Sequence, residues 1–190
     1  KAMPENALVA TDIGNLCSAA NSYLRFERPN SFLAAMAFGN CGYAFPTAMG
    51  AKVAEPERPA VAYVGDGAWG MSLAEVMTCV REDIPVTAVV FNNGQWGAEK
   101  RNQIDFYDSR FLGTNLENPS FAEIARAMGA RGTRVDHPDQ VGDALREATR
   151  SGKPSVLEIM VTQELGEPFR RDALKKPVRR LAKYRDYGAP

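Results

Sequence analysis

Short apolar runs alternate with amphipathic stretches along this chain, and the alternation predicts strands and helices in turn. Ala60–Val64 and Val86–Phe91 are almost continuously apolar over the length of one strand. Such runs are typical of strands that are covered on both faces of a sheet. Less uniform runs predict further strands at residues 7–11, 131–135 and 155–161, and a short strand or extended loop at 31–37.

Between these runs, apolar positions recur at the spacing of helices. After Gly67, the i, i+3, i+4, i+7 pattern of one buried helix face is carried by Leu73, Val76, Met77 and Val80. Further helices are predicted at residues 15–23, 42–54, 96–103, 121–128 and 139–150, and an aromatic loop at 105–118. The regular alternation predicts an α/β fold: a doubly wound, mostly parallel sheet with helices on both faces.

Composition and charge exclude several classes of function. The chain has 190 residues, of which 45% are apolar and 24% charged, and its formal net charge is zero. These values are typical of a globular domain and give no electrostatic reason to expect a nucleic-acid or membrane partner. No apolar run is long enough to span a bilayer, and three cysteines without metal-ligand spacing indicate reduced thiols. We therefore expect a cytoplasmic protein, with Cys17 and Cys79 in its core and the single histidine, His137, in a solvated turn.

The charge is distributed unevenly between two parts of the chain. From Gly166 to Pro190 there are 8 lysine or arginine residues and 3 acidic residues, a net charge of +5, whereas residues 1–165 carry −5. This change predicts a folded domain over residues 1–165 and a basic C-terminal tail over residues 166–190. Because the chain starts at Lys1 and soon enters strand-like sequence, we expect it to be the C-terminal piece of a longer polypeptide.

Polar residues follow two neighbouring strands at the point where each strand ends. Gly65-Asp66-Gly67 ends the first apolar run, and Asn92-Asn93 ends the second. Parallel strands joined by a helix end side by side, roughly 5 Å apart, so Asp66 and Asn93 should project from adjoining strand ends. A carboxylate and an amide oxygen suit Mg²⁺ shared with a phosphorylated ligand, whose phosphates the following helix N-terminus would face. Two other interpretations stay open: a turn aspartate bonded to its own backbone, and an asparagine pair in left-handed loop geometry.

These motifs resemble the signature of the thiamine-diphosphate-dependent enzymes, the superfamily of decarboxylases, acetolactate synthases and lyases. Phe38–Pro46 is similar to the segment beneath the thiazolium ring, and Thr11–Asn15 is similar to the first diphosphate-side turn of the same domain. The resemblance implies a thiamine-diphosphate-binding fold with thiamine diphosphate and Mg²⁺ as cofactors. It also implies metal ligation by Asp66, by the side-chain oxygen of Asn93 and by the backbone carbonyl of Gln95.

The same resemblance implies contacts with the rest of the cofactor. The unpaired N–H groups at a helix start bind anions. Here they belong to Gly67, Ala68 and Trp69. The side chain of Asn15 either donates to the same diphosphate or caps the following helix. Gly39 matches the residue whose carbonyl accepts from the 4′-amino group, and Cys41 matches the bulky residue that wedges between the two rings.

No catalytic residue is expected in this chain itself. In the family that it resembles, a glutamate that activates the aminopyrimidine lies on a separate domain, usually the N-terminal domain of the same polypeptide, and is contributed across a dimer. Three glutamates here invite comparison with it, Glu75, Glu99 and Glu158, but Glu75 is predicted in a helix and Glu158 in a strand. The resemblance therefore implies an enzyme that is incomplete alone, with a missing N-terminal domain as its partner and a homodimer or homotetramer as its assembly.

Three longer segments resemble one branch of this family, the sulfoacetaldehyde acetyltransferases. They are residues 21–27, 93–103 and 168–177. This resemblance implies an acyltransferase with small anionic substrates, which converts sulfoacetaldehyde and phosphate to acetyl phosphate and sulfite. Candidate substrate-binding residues are Trp96, Arg101, Arg170 and Arg171. Arginine suits sulfonate and phosphate. A solvated or subunit-contacting tail remains the alternative interpretation for the segment that carries Arg170 and Arg171.

Two other functions stay open on the sequence alone. One is the β-type subunit of a two-chain thiamine-diphosphate decarboxylase, such as one that acts on sulfopyruvate, in which a partner chain supplies the glutamate. The other is a non-catalytic α/β interaction module that has kept the fold without the cofactor. The length of the native polypeptide distinguishes the first from a single long enzyme, and binding of thiamine diphosphate with Mg²⁺ distinguishes the second.

Overall fold

A computed structural model describes residues 2–165, and in this part of the chain six strands form one sheet. Every pairing between neighbouring strands is parallel. The strands are β1 (Leu8–Thr11), β2 (Phe32–Ala34), β3 (Ala60–Gly65), β4 (Val86–Asn92), β5 (Arg131–Val135) and β6 (Ser155–Met160). They lie within a few residues of the predicted positions, and the predicted α/β fold class is confirmed.

The order of the strands across the sheet is β2-β1-β3-β4-β6-β5. From β1 the chain first runs outward to β2, and it then returns past β1 to form β3 on the other side. The connections on the two sides of β1 therefore run in opposite directions. At such a reversal, open α/β sheets leave a crevice at the carboxyl ends of their strands, which is where ligands bind.

Seven helices connect the strands within the described residues. They are α1 (Asn15–Tyr23), α2 (Ala44–Ala54), α3 (Asp66–Gly70), α4 (Val76–Arg81), α5 (Gly97–Phe106), α6 (Phe121–Ala127) and α7 (Pro138–Arg150), with one 3₁₀ turn at Leu73–Glu75. Ser120 caps α6, because its hydroxyl accepts a hydrogen bond from the N–H of Glu123 at 3.3 Å. Pro138 opens α7, where its missing N–H would have had no partner within the helix.

The sheet has an apolar layer on each face. On one face, strand residues such as Ala62 and Val90 pack against α2, α4 and α6. On the other face, Val61 and Val89 belong to a second layer that includes Leu145 of α7. Successive strand residues point to opposite faces. Because β3 and β4 are covered on both sides, their sequences are nearly continuous apolar runs.

The segment after β3 differs from the single helix that its apolar spacing predicts. Its first helix, α3, starts at Asp66 rather than after Gly67, ends at Gly70, and is followed by the 3₁₀ turn and α4. The break redirects the side chains, so Met77 is 57% exposed whereas Cys79 is fully buried. The prediction of Met77 on the buried face was wrong, because the i, i+3, i+4, i+7 rule holds only within an unbroken helix.

Gly132 in β5 allows α6 to pack directly on the sheet. A Cβ at this position would lie 1.9 Å from the carbonyl oxygen of Ala122, closer than any side chain permits. The start of α6 consequently comes within hydrogen-bond distance of β6, where the N–H of Ala122 donates to Glu158 Oε2 at 3.1 Å. A small residue in the strand that directly follows α6 thus determines where the start of this helix lies.

The remaining predictions concern the two core cysteines, the single histidine, membrane spans and the C-terminal tail. Cys17 and Cys79 are buried as predicted, and His137 is exposed at the N-cap of α7. Within residues 2–165, no helix has both the length and the apolar character that a bilayer span needs. The predicted basic tail over residues 166–190, with Arg170 and Arg171, lies outside the described residues.

Candidate functional site

Loops at the carboxyl edge of the sheet enclose a cleft of about 280 Å³. It lies among the segments that follow β1, β3 and β4, at the point where the strand order reverses. Eight of the predicted ligand-binding residues line it: Asn15, Cys41, Asp66, Gly67, Ala68, Asn93, Gln95 and Trp96. Glu99, one of the three glutamates considered above, lines it as well. The parallel sheet therefore brings four separate sequence motifs to one cavity.

Asp66 is the first residue of α3, and it lines the cleft with only 3% of its surface exposed. Its Oδ2 accepts hydrogen bonds from the N–H of Gly94 and from the side-chain amide of Asn118, both at 2.8 Å. Burial raises the pKa of Asp66, and hydrogen bonds from Gly67, Gly94 and Asn118 offset only part of that effect. The described residues therefore leave a negative charge here only partly compensated, and a bound cation would complete the compensation.

Asn93 and Gln95 lie in the loop after β4 and line the same cleft. The N–H of Gln95 donates to Asn93 Oδ1 at 3.3 Å, and the Gln95 side chain is held by the Gln163 carbonyl and by Lys100. Within residues 2–165, no three histidine, cysteine, aspartate or glutamate side chains group into a metal site. The lining residues carry instead a carboxylate (Asp66), an amide oxygen (Asn93) and a main-chain carbonyl (Gln95). These hard oxygen ligands fit Mg²⁺, which shares its coordination sphere with phosphate groups.

The backbone comes very close to side chains of the site at two glycines. A Cβ on Gly67 would lie 2.8 Å from three atoms of the Trp96 ring, so the indole packs directly on the first turn of α3. A Cβ on Gly97 would lie 3.4 Å from the amide nitrogen of Asn15 and 3.7 Å from that of Asn93. These two amide groups therefore converge beside the loop after β4, where both can donate to an anion.

Three of the predicted residues lie outside the cleft lining. The indole of Trp69 is 2% exposed and packs edge to face against Phe45, with 5.0 Å between ring centroids. Arg101 forms an ion pair with Asp105 within α5, with 3.0 Å between Nε and Oδ2. Gly39 has a φ of +75° in an exposed turn, a conformation that glycine adopts readily. Any ligand contact of Trp69 or Gly39 therefore falls to their backbone groups.

Two polar residues complete the region where the turn after β1 meets the segment before α2. Burial raises the pKa of the Cys41 thiol, and the carboxylates of Asp12 and Glu99 raise it further. The thiol is therefore protonated at neutral pH and is not an activated nucleophile. Asp12 caps α2, because its Oδ1 accepts from the N–H groups of Tyr43 and Ala44 at 2.7 and 3.0 Å. The sequence did not predict this cap, since the two segments are 31 residues apart.

A buried polar network behind Asp66 was also missed by the sequence analysis. The Asn92 side-chain amide donates to Glu158 Oε1 at 2.9 Å, and the Asn118 amide donates to Asn92 Oδ1 at 3.0 Å. Glu158 is only 1% exposed. A charged residue inside the apolar run of β6 was the available signal for Glu158, because such a residue needs partners when it is buried. Asn118 carries no comparable signal, since it lies in a polar loop.

All of the cleft lining except Val161 falls within the range of a known protein family. Residues 12–159 match the family described as "Thiamine pyrophosphate enzyme, C-terminal TPP binding domain". A benzoylformate decarboxylase from Polynucleobacter necessarius, known from its crystal structure, has the same fold with a TM-score of 0.80. The two chains are 24% identical, and the similarity covers 88% of this chain and 32% of the decarboxylase.

Several relatives are much more similar in sequence. A sulfoacetaldehyde acetyltransferase from Castellaniella defragrans is 68% identical over 98% of this chain, and one from Alcaligenes xylosoxydans xylosoxydans is 64% identical over 98%. A probable acetolactate synthase large subunit from Methanocaldococcus jannaschii is 33% identical over 83% of this chain. The chain spans 32% of the length of the first two relatives and 27% of the third.

Proposed function

We propose that this chain forms part of a sulfoacetaldehyde acetyltransferase. It belongs to the thiamine pyrophosphate enzymes, as their C-terminal TPP-binding domain. The observation that carries the proposal is 68% identity over 98% of the chain to a protein of that name. The proposed reaction converts sulfoacetaldehyde and phosphate to acetyl phosphate and sulfite. Because the chain spans only 32% of that relative, the reaction is proposed for a longer polypeptide of which this chain is one domain.

In this enzyme Mg²⁺ is held by the carboxylate of Asp66, the side-chain oxygen of Asn93 and the backbone carbonyl of Gln95. Three observations support the assignment: the three residues line one cleft, their donors are hard oxygens, and burial leaves the Asp66 charge incompletely compensated. The diphosphate lies against the first turn of α3, where helix N–H groups lack main-chain acceptors, although the N–H of Gly67 also donates to the Asp66 carboxylate. The side-chain amide of Asn15 lies beside Gly97 at the start of α5 and lines the same cleft, so it can add a donor.

Thiamine diphosphate supplies, when bound, the carbon nucleophile that attacks the substrate carbonyl. The residues of this chain bind and orient the diphosphate end of the cofactor and shape the wall beside it. Trp96 lines the cleft and is the described candidate for the substrate side, whereas Arg101 is held by Asp105. Arg170 and Arg171 are proposed to pair with sulfonate or phosphate, because both substrates are anionic and arginine binds such groups bidentately.

The glutamate that activates the cofactor is proposed to come from a part of the enzyme outside this chain. Both Glu158 oxygens accept hydrogen bonds, and the Glu75 carboxylate accepts one from the Thr78 hydroxyl at 2.8 Å. The ring of Phe38 is 91% exposed next to Gly39, the residue predicted to contact the aminopyrimidine. In the proposed enzyme, an N-terminal domain covers this position, within a homodimer or homotetramer.

The proposed reaction is tested by a product assay on the full-length enzyme. With sulfoacetaldehyde as substrate, sulfite and acetyl phosphate should form in equal amounts. Formation of both should stop when phosphate, thiamine diphosphate or Mg²⁺ is omitted. Tight cofactor binding without either product would contradict the proposed substrates. Decarboxylation of sulfopyruvate by a complex of two separate chains, with a native mass near that of this chain for one of them, would favour the two-chain alternative.

A further inference from the structure

We infer that Glu158 and Asn118 are positioning residues that hold the metal-binding carboxylate of Asp66, although neither lines the cleft. The inference rests on the proposed function and its metal site, and adds two residues that do not touch the ligands themselves. It is carried by a continuous chain of hydrogen bonds from β6, through the end of β4 and the segment before α6, to the start of α3.

Glu158 is the fixed end of this chain. Its Oε1 accepts from the Asn92 amide at 2.9 Å, and its Oε2 accepts from the Ser120 hydroxyl at 2.9 Å and from the N–H of Ala122 at 3.1 Å. Burial alone would raise the pKa of Glu158, but the hydrogen bonds outweigh burial and lower it. The side chain is therefore an ionised carboxylate at neutral pH, with protein donors on both oxygens.

Asn92 transmits this constraint because its amide group has only one suitable orientation. An ionised carboxylate can only accept hydrogen bonds, so Asn92 must turn its NH₂ group towards Glu158 and its Oδ1 away from it. On that other side, Oδ1 accepts from the N–H of Gly94 at 3.2 Å and from the Asn118 amide at 3.0 Å. Glu158 thus determines which atom of Asn92 faces the metal loop.

Asn118 links this amide to the metal-binding carboxylate. Its side-chain nitrogen donates to Asn92 Oδ1 and, at 2.8 Å, to Asp66 Oδ2. The N–H of Gly94 donates to the same two oxygens. Asp66 Oδ2 is therefore held by two donors whose own positions depend on Asn92, and the carboxylate cannot rotate without breaking both bonds.

The segment that carries Asn118 is itself fastened to the loop after β4. The N–H of Leu116 donates to the Gly94 carbonyl, and the N–H of Trp96 donates to the Thr114 carbonyl, both at 2.8 Å. These bonds form a short antiparallel pairing between residues 94–96 and 114–116. The position of Asn118 relative to Asp66 is consequently fixed by backbone pairing as well as by its own side chain.

The inference is tested by the affinity of the full-length enzyme for Mn²⁺ in the presence of thiamine diphosphate, measured from the electron paramagnetic resonance signal of free Mn²⁺. Asn118→Ala and Glu158→Gln should each weaken Mn²⁺ binding by about tenfold or more, the usual cost of losing an outer-sphere partner of a metal ligand. At saturating Mn²⁺ and cofactor, kcat should stay within about twofold of wild type, because no reacting group is removed. Glu123→Gln is the matched control, since this α6 carboxylate is 77% exposed and should leave the affinity unchanged.

The outcomes separate this inference from the proposed function. A lower unfolding temperature with an unchanged Mn²⁺ dissociation constant in folded Asn118→Ala would show a purely structural role and overturn the inference. Asn118 is a half-buried loop residue, so Asn118→Ala should fold. It therefore tests the inference even where Glu158→Gln does not fold. Wild-type enzyme that binds Mn²⁺ but forms no acetyl phosphate would contradict the proposed function alone. Wild-type enzyme that binds no Mn²⁺ with the cofactor would overturn both.

Discussion

Asp66 and Glu158 are both buried carboxylates near the carboxyl edge of the sheet, but their surroundings shift their acidity in opposite directions. Their exposed fractions are 3% and 1%. At Glu158 the hydrogen bonds from Ala122, Asn92 and Ser120 outweigh the effect of burial and lower the pKa. At Asp66 burial has the larger effect, and the pKa is raised. The charge of Glu158 is compensated within the protein, whereas that of Asp66 is compensated only in part.

This difference shows that burial alone does not identify a functional acid. A buried carboxylate that meets protein donors at both oxygens stabilises the fold, whereas one that opens onto a cleft with incomplete compensation is a candidate ligand for a cation. Asp12 combines burial with a raised pKa away from the cleft. Its pKa is raised by burial and its Oδ2 has no hydrogen bond in the described part of the chain, but it caps α2 and lies outside the cleft lining.

Replacing Asp66, the carboxylate that opens onto the cleft, with asparagine should give the largest effect. The change removes the charge that balances Mg²⁺, so the affinity of the full-length enzyme for Mg²⁺ with thiamine diphosphate should fall about 100-fold or more, equivalent to about 2.7 kcal/mol. Because the pKa of Asp66 is raised in the folded chain, ionised Asp66 opposes folding at neutral pH. The unfolding temperature of the cofactor-free variant should therefore equal or exceed that of wild type.

Calorimetric titration measures the affinity of Asp66→Asn, and thermal unfolding measures its stability. Asp143→Asn is the control, because this helix carboxylate is 86% exposed and its loss should change neither quantity. Wild-type affinity in Asp66→Asn would remove the metal assignment and the comparison built on it.

Replacing Glu158 with glutamine should destabilise the cofactor-free protein, by about 1–3 kcal/mol, since at least the Ala122 N–H loses its charged acceptor. The effect should depend on pH with a definite sign. The pKa of Glu158 is lowered from its ordinary value of 4.5, so its contribution is complete above that pH and is lost as the pH falls through the lower folded value. Unfolding temperatures of wild type and variant, measured from pH 7 down to about pH 2, should therefore converge only below the ordinary value of 4.5. A gap that widens on acidification would contradict an ionised Glu158.

Replacing Gly67 with alanine tests whether the start of α3, beside Asp66, contacts the cofactor. The added Cβ would lie 2.8 Å from the Trp96 ring, so the indole must shift into the cleft or away from it. Either shift should weaken binding of thiamine diphosphate with Mg²⁺ by about tenfold, equivalent to about 1.4 kcal/mol. Gly70→Ala is the matched control within α3, because its Cβ would meet nothing within 4 Å. Equal affinities of the two variants would show that the α3 start does not contact the cofactor.

Replacing Cys41 with serine should give the smallest effect. Burial raises the pKa of this thiol, so it stays protonated and contributes no nucleophile at neutral pH. The kcat and the KM values for sulfoacetaldehyde and phosphate should stay within about twofold of wild type, because only one atom of similar size is exchanged. A loss of kcat much larger than this, in steady-state assays of the full-length enzyme, would give Cys41 a chemical role.

Much of the fold was predictable because it is encoded in local patterns. The continuous apolar runs of β3 and β4 predicted strands buried on both faces, and the small-residue helix α2 was found within two residues of its observed start. The sheet order was not predictable, since nothing local places β6 between β4 and β5. The break between α3 and α4 was also missed, because the apolar spacing continues across it.

The residues of the candidate site also differ in whether the sequence predicts them. Asp66 and Asn93 were predicted together because their motifs directly follow strands whose ends meet, and Gln95 was added by the family resemblance. All three line one cleft. Asn118 and Glu158 were not assigned roles, because their partners lie 26 to 66 residues away and their contacts depend on the register of β4 with β6 and on the pairing of two loops. The residues proposed to bind the ligand directly carry a local motif, whereas those proposed to position them depend on tertiary structure.

The most direct measurement of the central claim is the anomalous scattering of Mn²⁺ in crystals of the full-length enzyme grown with thiamine diphosphate. The account predicts one strong peak in the cleft, within about 2.5 Å of the Asp66 carboxylate, the Asn93 side-chain oxygen and the Gln95 carbonyl. A peak that is coordinated by other residues, with Asp66 bonded only to Gly94 and Asn118, would contradict it.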